Sequence, residues 1–175
     1  MSKPTLYLML GYPGAGKTTV AEHIATLTGA VHLNSDQFRL HMFDKPLGIT
    51  DAEHDRMYEM LDHITERTLS SGKSVIYDAN LNRYAHRKEK YDIAERTGAQ
   101  ARLVWVTTDE PTARQRATVE APKHPRHRPF GNMKTEVFAR LISEIEPPKE
   151  TEQTITIDGN LISYTKIKKA LELRH

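Results

Sequence analysis

Apolar residues along this chain repeat with two periods that take turns. Short unbroken runs, at Leu6-Tyr7-Leu8-Met9-Leu10, Val31-His32-Leu33, Ser74-Val75-Ile76-Tyr77, Arg102-Leu103-Val104-Trp105-Val106 and Thr154-Ile155-Thr156-Ile157, suit strands buried on both faces. Between them the spacing becomes helical. Met57, Met60, Leu61, Ile64 and Thr68 line one face from about Asp51 to Ser71, Phe138, Leu141, Ile142 and Ile145 do so after Lys134, and a closing helix is predicted near Ile162 to Leu173. This alternation predicts an α/β fold, a five-stranded and mostly parallel sheet with helices on both faces joined by right-handed crossovers.

One segment follows neither period. Glu120 to Gly131 carries Pro122, Pro125 and Pro129 among basic residues, the composition of an exposed mobile loop between two helices. With 175 residues the chain is the size of one domain. The loop, about 117–133, is therefore read as a lid on a single domain spanning 1–175, because the tail beyond it is too short for a second one.

The first strand runs directly into Gly11-Tyr12-Pro13-Gly14-Ala15-Gly16-Lys17-Thr18, which matches G-x-x-x-x-G-K-T between a strand and a helix. In that setting glycines let the backbone curl so that its N–H groups face phosphate oxygens, and the helix adds its positive end. Lys17 is expected to reach the terminal phosphates and Thr18 to place its hydroxyl on Mg²⁺, an ion that sits beside nucleotide phosphates with few protein ligands. These features define a P-loop NTPase or kinase fold.

Composition narrows the chemistry. There is no cysteine, so thiolate nucleophiles and disulfides are excluded. The start, Met1-Ser2-Lys3-Pro4, leads into an apolar run too short for a signal peptide or membrane span, so a cytoplasmic protein with no membrane partner is expected, a monomer by default. A net charge of +2 is too weak for a general nucleic-acid coat.

Several classes share a phosphate loop. No D-x-x-G or N-K-x-D element for a guanine-nucleotide switch occurs, and the strand Val75-Ile76-Tyr77 ends in Asp78-Ala79-Asn80 without the Asp-Glu of a motor ATPase. Transfer to a bound acceptor is favoured over hydrolysis. Such a kinase needs a base, a carboxylate near Mg²⁺ and mobile positive charge. Asp36 follows the second strand and is the candidate base, its alternative role being a helix cap. Arg39, one turn on, is placed to hold the acceptor or its phosphate, and Asp78 to hold a water on Mg²⁺ or to orient Lys17. Asn80 and Asn82 are candidates for positioning the acceptor, with Asn82 alternatively capping the helix near Tyr84.

The phosphate loop through Thr19, the Asn34-Ser35-Asp36-Gln37-Phe38-Arg39 segment, Asp78-Ala79-Asn80-Leu81-Asn82 and the basic lid resemble, in that order, the kinase domain of phage-type polynucleotide 5′-kinases and their small bacterial relatives, with zeta-type toxins in the same group. The resemblance covers nearly the whole chain. It implies ATP as donor, held by Gly11, Pro13, Gly14, Ala15, Gly16, Lys17, Thr18, Thr19 and Arg116, with Asp36 as general base, Arg39 on the acceptor and lid arginines on the ATP phosphates. Glu120 stands where a second lid arginine belongs, so Arg126 or Arg128 is expected to supply that charge. The implied acceptor is a hydroxyl group, either a polynucleotide 5′ end or a small molecule such as a nucleoside, sugar or antibiotic. Arg83, Tyr84, Arg87 and Lys88, with His124, Arg126, His127, Arg128 and Phe130 of the lid, are candidates for a basic entrance for nucleic acid, the alternative being that Arg87, Lys88 and Lys90 are the solvated face of a helix. None of the nine histidines has a metal-ligand spacing, and Trp105 is expected in the core.

Overall fold

The structure, a computed structural model, describes residues 3–172. Its strands are β1 (Thr5–Leu10), β2 (Val31–Asn34), β3 (Val75–Asp78), β4 (Gln100–Thr107) and β5 (Thr154–Asp158). The helices are α1 (Lys17–Thr28), α2 (Ser35–Met42), α3 (Asp51–Ser70), α4 (Tyr84–Thr97), α5 (Glu110–Thr118), α6 (Thr135–Ser143) and α7 (Tyr164–Glu172). All five strands pair in parallel in the order β2-β3-β1-β4-β5. β1 lies in the middle, so the loop that leaves its carboxyl end is flanked by the ends of β3 and β4. That is where a doubly wound sheet gathers its ligands.

Unbroken apolar runs are needed because both faces of the sheet are covered. Leu6, Leu8, Leu10, Tyr77 and Leu103 pack with Leu61, Leu69 and Ile93 of α3 and α4 on one face. Met9, Ile76, Val104 and Val106 pack with Val20, Ile24 and Ile167 of α1 and α7 on the other. Among the described residues no helix is long and apolar enough to cross a membrane.

Each expected strand is present: β1, β2, β4 and β5 run longer than expected, and β3 is shifted by one residue, to Val75–Asp78. The helix faces shift in detail. In α3 the buried positions are Met57, Leu61, Thr65 and Leu69, whereas Met60 is 46% exposed. A strict i+4 row follows because this helix meets β3 and α4 along a narrow stripe, and Thr65 joins it by donating its hydroxyl to Leu61 O. Thr50 and Glu53 close a capping box at its start. Ile145 lies past the end of α6, and Leu173 falls outside the described residues.

Candidate functional site

The loop between β1 and α1 is pressed against its neighbours. A Cβ on Gly14, whose φ is +79°, would sit 2.2 Å from Ala113 O of α5. One on Gly159, beyond β5, would meet Thr108 Oγ1 at 2.0 Å and Ala15 O at 2.4 Å. Only glycine fits either approach, and together they clamp the loop between α5 and the β5–α7 turn. Thr108 also donates to Ala15 O at 2.9 Å. Lys17 folds back onto this loop and donates to Gly11 O at 2.8 Å and Tyr12 O at 2.9 Å. Burial lowers its pKa, and the charges of Asp78 and Asp36 work against that shift.

Three donors converge on one oxygen of Asp78. Its Oδ2 accepts from Thr18 Oγ1 at 2.9 Å and Asn34 Nδ2 at 2.8 Å and lies 3.0 Å from His32 Nε2. Burial alone would raise the Asp78 carboxyl, but the bonds from His32 and Asn34 and the charge of Lys17 hold it below the usual carboxylate range. The Thr18 hydroxyl and the Asp78 carboxylate are thus side by side, both hard oxygen donors suited to Mg²⁺.

Asn34 links the two halves of the site. While its Nδ2 holds Asp78, its Oδ1 accepts from Gln37 N at 3.0 Å and caps α2. The capping role is therefore filled by Asn34, and Asp36 lies in the first turn with its carboxyl free of that duty. Burial raises the Asp36 pKa, the Arg39 guanidinium lowers it and the Asp78 charge raises it again. Tyr58 of α3 lies against this turn. Burial raises its phenol, offset by polar contact with the Ser35 side chain, the Arg39 charge and the Asn80 backbone.

Arg39 Nε is, among the described residues, the one buried side-chain polar atom with no hydrogen-bond partner. The Phe130 ring of the lid lies 5.8 Å from its Cζ. The lid runs from the end of α5 to α6 and holds a single 3-10 turn, Pro125–His127. It rests on α1 and α2: His127 Nε2 is 3.0 Å from Glu22 Oε2, and Gln37 Nε2 donates to Arg126 O at 3.1 Å.

The lid arginines separate. Arg116, in the last turn of α5, donates to Gly159 O at 2.9 Å and so lies beside the phosphate loop. Arg126 is exposed above α2. Arg128 donates to Ala117 O, Glu120 O and Asn132 Oδ1, which makes it the internal clasp of the lid. Of the two arginines expected to replace the charge missing at Glu120, Arg126 is the one not committed to such a clasp.

Two further expectations change. Asn82 neither caps α4, whose cap is Arg83, nor faces the cleft; it is buried and donates to Leu141 O at 3.0 Å. The basic run of α4 divides: Arg83 and Lys88 are exposed, as on a solvated face, whereas Arg87 and Lys90 turn inward. Arg87 is fully buried and grips Glu152 at 2.7 and 3.0 Å, Leu81 O at 3.0 Å and Asn82 O at 3.1 Å, while Lys90 is buried against Asp62 at 2.6 Å.

His32 and Tyr58 were missed from sequence. A signal existed for His32: with period 2 it shares a face with Asn34, and Asn34 pairs in register with Asp78. Tyr58 gives none, because its role depends on how α3 crosses the sheet.

A family described as an AAA domain matches residues 6–148. The chain belongs to that family. This AAA-domain chain has the P-loop kinase fold. A sugar kinase from Janibacter sp. HTCC2649 is 18% identical over 98% of this chain and 94% of its own, with a TM-score of 0.69. The Pnkp1/Rnl/Hen1 RNA repair complex contains a chain 19% identical over 82% of this chain and 44% of its own, TM-score 0.66. Kti12 of Chaetomium thermophilum, solved with ADP-AlF3, is 15% identical over 96% of both chains, TM-score 0.74. At these identities the likeness is one of fold. No curated protein matches the chain in sequence.

Proposed function

We propose that this AAA-domain protein is an ATP-dependent phosphotransferase that moves the γ-phosphoryl group to a hydroxyl acceptor. The observation that carries the reading is the charge cluster of Lys17, Asp36 and Asp78 at one end of the phosphate loop, in which burial raises the carboxyl of the half-buried Asp36. A hydrolase would need a carboxylate on water beside Asp78, and Ala79 stands there.

In this mechanism the loop N–H groups and the α1 terminus hold the phosphates, with Thr19 following Thr18 in the first turn. Lys17 leaves the loop carbonyls for the β- and γ-phosphates, compensating them for lost water. Thr18 and, through a water, Asp78 would hold Mg²⁺, which would supply charge neutralisation for the phosphates. Asp36 takes the proton as the acceptor oxygen bonds the γ-phosphorus and the bond to ADP breaks. Arg39 holds the acceptor, and Arg116 and Arg126 offset the charge of the transferring group.

The acceptor we favour is a 5′-hydroxyl of the nucleic-acid type, supported by the order of the motifs and by a chain of the same fold in an RNA repair complex. Burial of Arg87 and Lys90 favours a second reading, a small-molecule acceptor that needs no outer track of positive charge. Labelled ATP with Mg²⁺ and a panel of 5′-hydroxyl oligonucleotides, nucleosides and sugars tests both. Label must move to at least one acceptor in wild type and cease in Asp36→Asn at unchanged ATP affinity. Acceptor-independent hydrolysis alone sinks the phosphotransferase reading.

A further inference from the structure

We propose that His32 is a positioning residue for Mg²⁺, pinning the Asp78 oxygen that takes the Thr18 hydroxyl hydrogen and so leaving the Thr18 lone pairs to the metal. The inference rests on the phosphotransferase reading for the presence of Mg²⁺ beside Thr18, and adds a residue that this mechanism leaves unused.

His32 breaks the pattern of the sheet. The face under α1 is apolar on the other inner strands, with Met9 on β1, Ile76 on β3 and Val104 and Val106 on β4. β2 presents His32 and Asn34 to that side, because Leu33 packs into the opposite core and side chains alternate along a strand. His32 pairs in register with Ile76, and Asn34 with Asp78. β2 is an edge strand and the His32 side chain is 20% exposed, so packing alone does not call for an imidazole here. Its hydrogen bond does.

His32 Nε2 lies 3.0 Å from Asp78 Oδ2, the atom that also accepts from Asn34 Nδ2 at 2.8 Å and Thr18 Oγ1 at 2.9 Å. Burial pushes the Asp78 carboxyl up, and the bond and charge of His32 lead the groups that hold it below the usual range, ahead of Asn34 and Lys17. An ionised carboxylate only accepts, so His32 Nε2 carries the hydrogen and donates it. A hydroxyl has one hydrogen and two lone pairs. With that hydrogen given to Asp78 Oδ2, Thr18 keeps both lone pairs for a hard cation. The arrangement holds only while Oδ2 stays in place.

Asn34 also holds Oδ2, but its own Oδ1 caps α2 through Gln37 N, so its grip depends on a helix of the acceptor side. His32 ties the same oxygen to β2 without passing through α2. Groups that orient the ligands of a metal are worth about 10–100-fold in metal affinity. His32 works at one remove further, through Asp78 and Thr18, so the low end of that range is expected.

The test titrates the full chain with a non-hydrolysable ATP analogue by calorimetry, with and without Mg²⁺, and reads Mn²⁺ in the same complex by electron paramagnetic resonance. Wild type should bind the analogue more tightly with Mg²⁺. His32→Leu, similar in bulk but without a donor, should weaken the analogue with Mg²⁺, and Mn²⁺ in the complex, by about tenfold, while the metal-free analogue changes by less than about twofold. His32→Gln, whose amide nitrogen can donate from a similar reach, should return to within about threefold of wild type. His32→Ala gives the same comparison if the leucine variant does not fold. Equal losses with and without metal make His32 a structural residue and overturn the assignment, as does a glutamine that fails to rescue. The two claims also separate. A wild type whose affinity ignores Mg²⁺ sinks the donor site of the phosphotransferase reading, whereas a Mg²⁺ gain that survives His32→Leu sinks only the role of His32.

Discussion

Arg87 on α4 and Arg39 on α2 each sit one turn into a helix that follows a strand of the same sheet, and their surroundings are opposite. Arg87 spends its guanidinium on Glu152 and three backbone carbonyls, with Tyr91 and the Lys149 N–H completing the set around the same carboxylate. Arg39 keeps a buried Nε with no partner and leans on a lid aromatic. A protein does not leave a buried donor unmet without cost, so the satisfied arginine is scaffold, and the unsatisfied one is the residue that the proposed mechanism assigns to the acceptor. The contrast extends to the regions around them. α4 locks the segment before β5 into the fold, while α2 and the lid frame an open cleft.

Substituting the two arginines is the sharpest way to break the contrast. Arg87→Ala leaves Glu152 buried without its cation and should cost about 3–5 kcal/mol of stability, read from denaturant melts. Arg39→Ala should change stability by less than about 1 kcal/mol while raising the acceptor KM. Comparable losses from the two would end the distinction. pH adds a second reading of Arg87. Burial pushes Glu152 up, but Arg87, Tyr91 and the Lys149 N–H outweigh it and hold the carboxyl below its usual range. Its contribution is present above the unfolded carboxylate pKa and lost as pH falls through the lower folded one, so this acid-side loss should shrink in Arg87→Ala, where only Tyr91 and the Lys149 N–H remain.

Asp36→Asn comes next. Loss of a general base should lower kcat by about 10²–10⁴ and leave ATP affinity unchanged. In the wild type the acid limb of the rate profile should be displaced upward from that of an ordinary aspartate, because burial raises Asp36. For stability the direction is reversed. A raised carboxyl favours the fold while protonated and loses that support as pH rises through its folded pKa, so Asp36→Asn should melt higher than wild type at neutral pH. A lower melting temperature would place Asp36 among the scaffold residues with Arg87.

The sheet was legible because its signal is local. Runs such as Leu6 to Leu10 need no knowledge of distant residues, and the phosphate loop announces itself by its position between strand and helix. What separates Arg87 from Arg39 is not local. Glu152, which turns Arg87 into scaffold, is 65 residues away, and helical spacing along α4 shows only a mixture of charges. Tyr58 and the spent Arg128 escaped for the same reason, since their partners come from crossings and loop closures that no period encodes. Asn34 was in view within its motif, but its pair of hydrogen bonds, accepted from Gln37 N of α2 and donated to Asp78, needs the register of β2 on β3.

Tyr58→Phe tests the support beneath Asp36 and should be smaller. Removing the polar contacts to the Ser35 side chain and the Asn80 backbone should cost about 0.5–1.5 kcal/mol, with a fall in kcat and no change in ATP affinity. A fall in stability alone would move Tyr58 to the scaffold side.

The smallest effect should come from Lys88, and it isolates what the outer charge of α4 does. Lys88 lies on the exposed side of the helix, paired with Asp92 one turn on, while the neighbouring cations Arg87 and Lys90 point inward. An exposed pair of this kind is screened by salt and contributes little. Lys88→Ala should therefore leave the melting temperature, the acceptor KM and its salt dependence unchanged. If α4 did carry a nucleic-acid strand, Lys88 would be a phosphate contact, and its removal would weaken oligonucleotides of every sequence and reduce the salt slope by about one. A change in slope would return α4 to the acceptor side and remove the ground on which its basic residues are assigned to the scaffold.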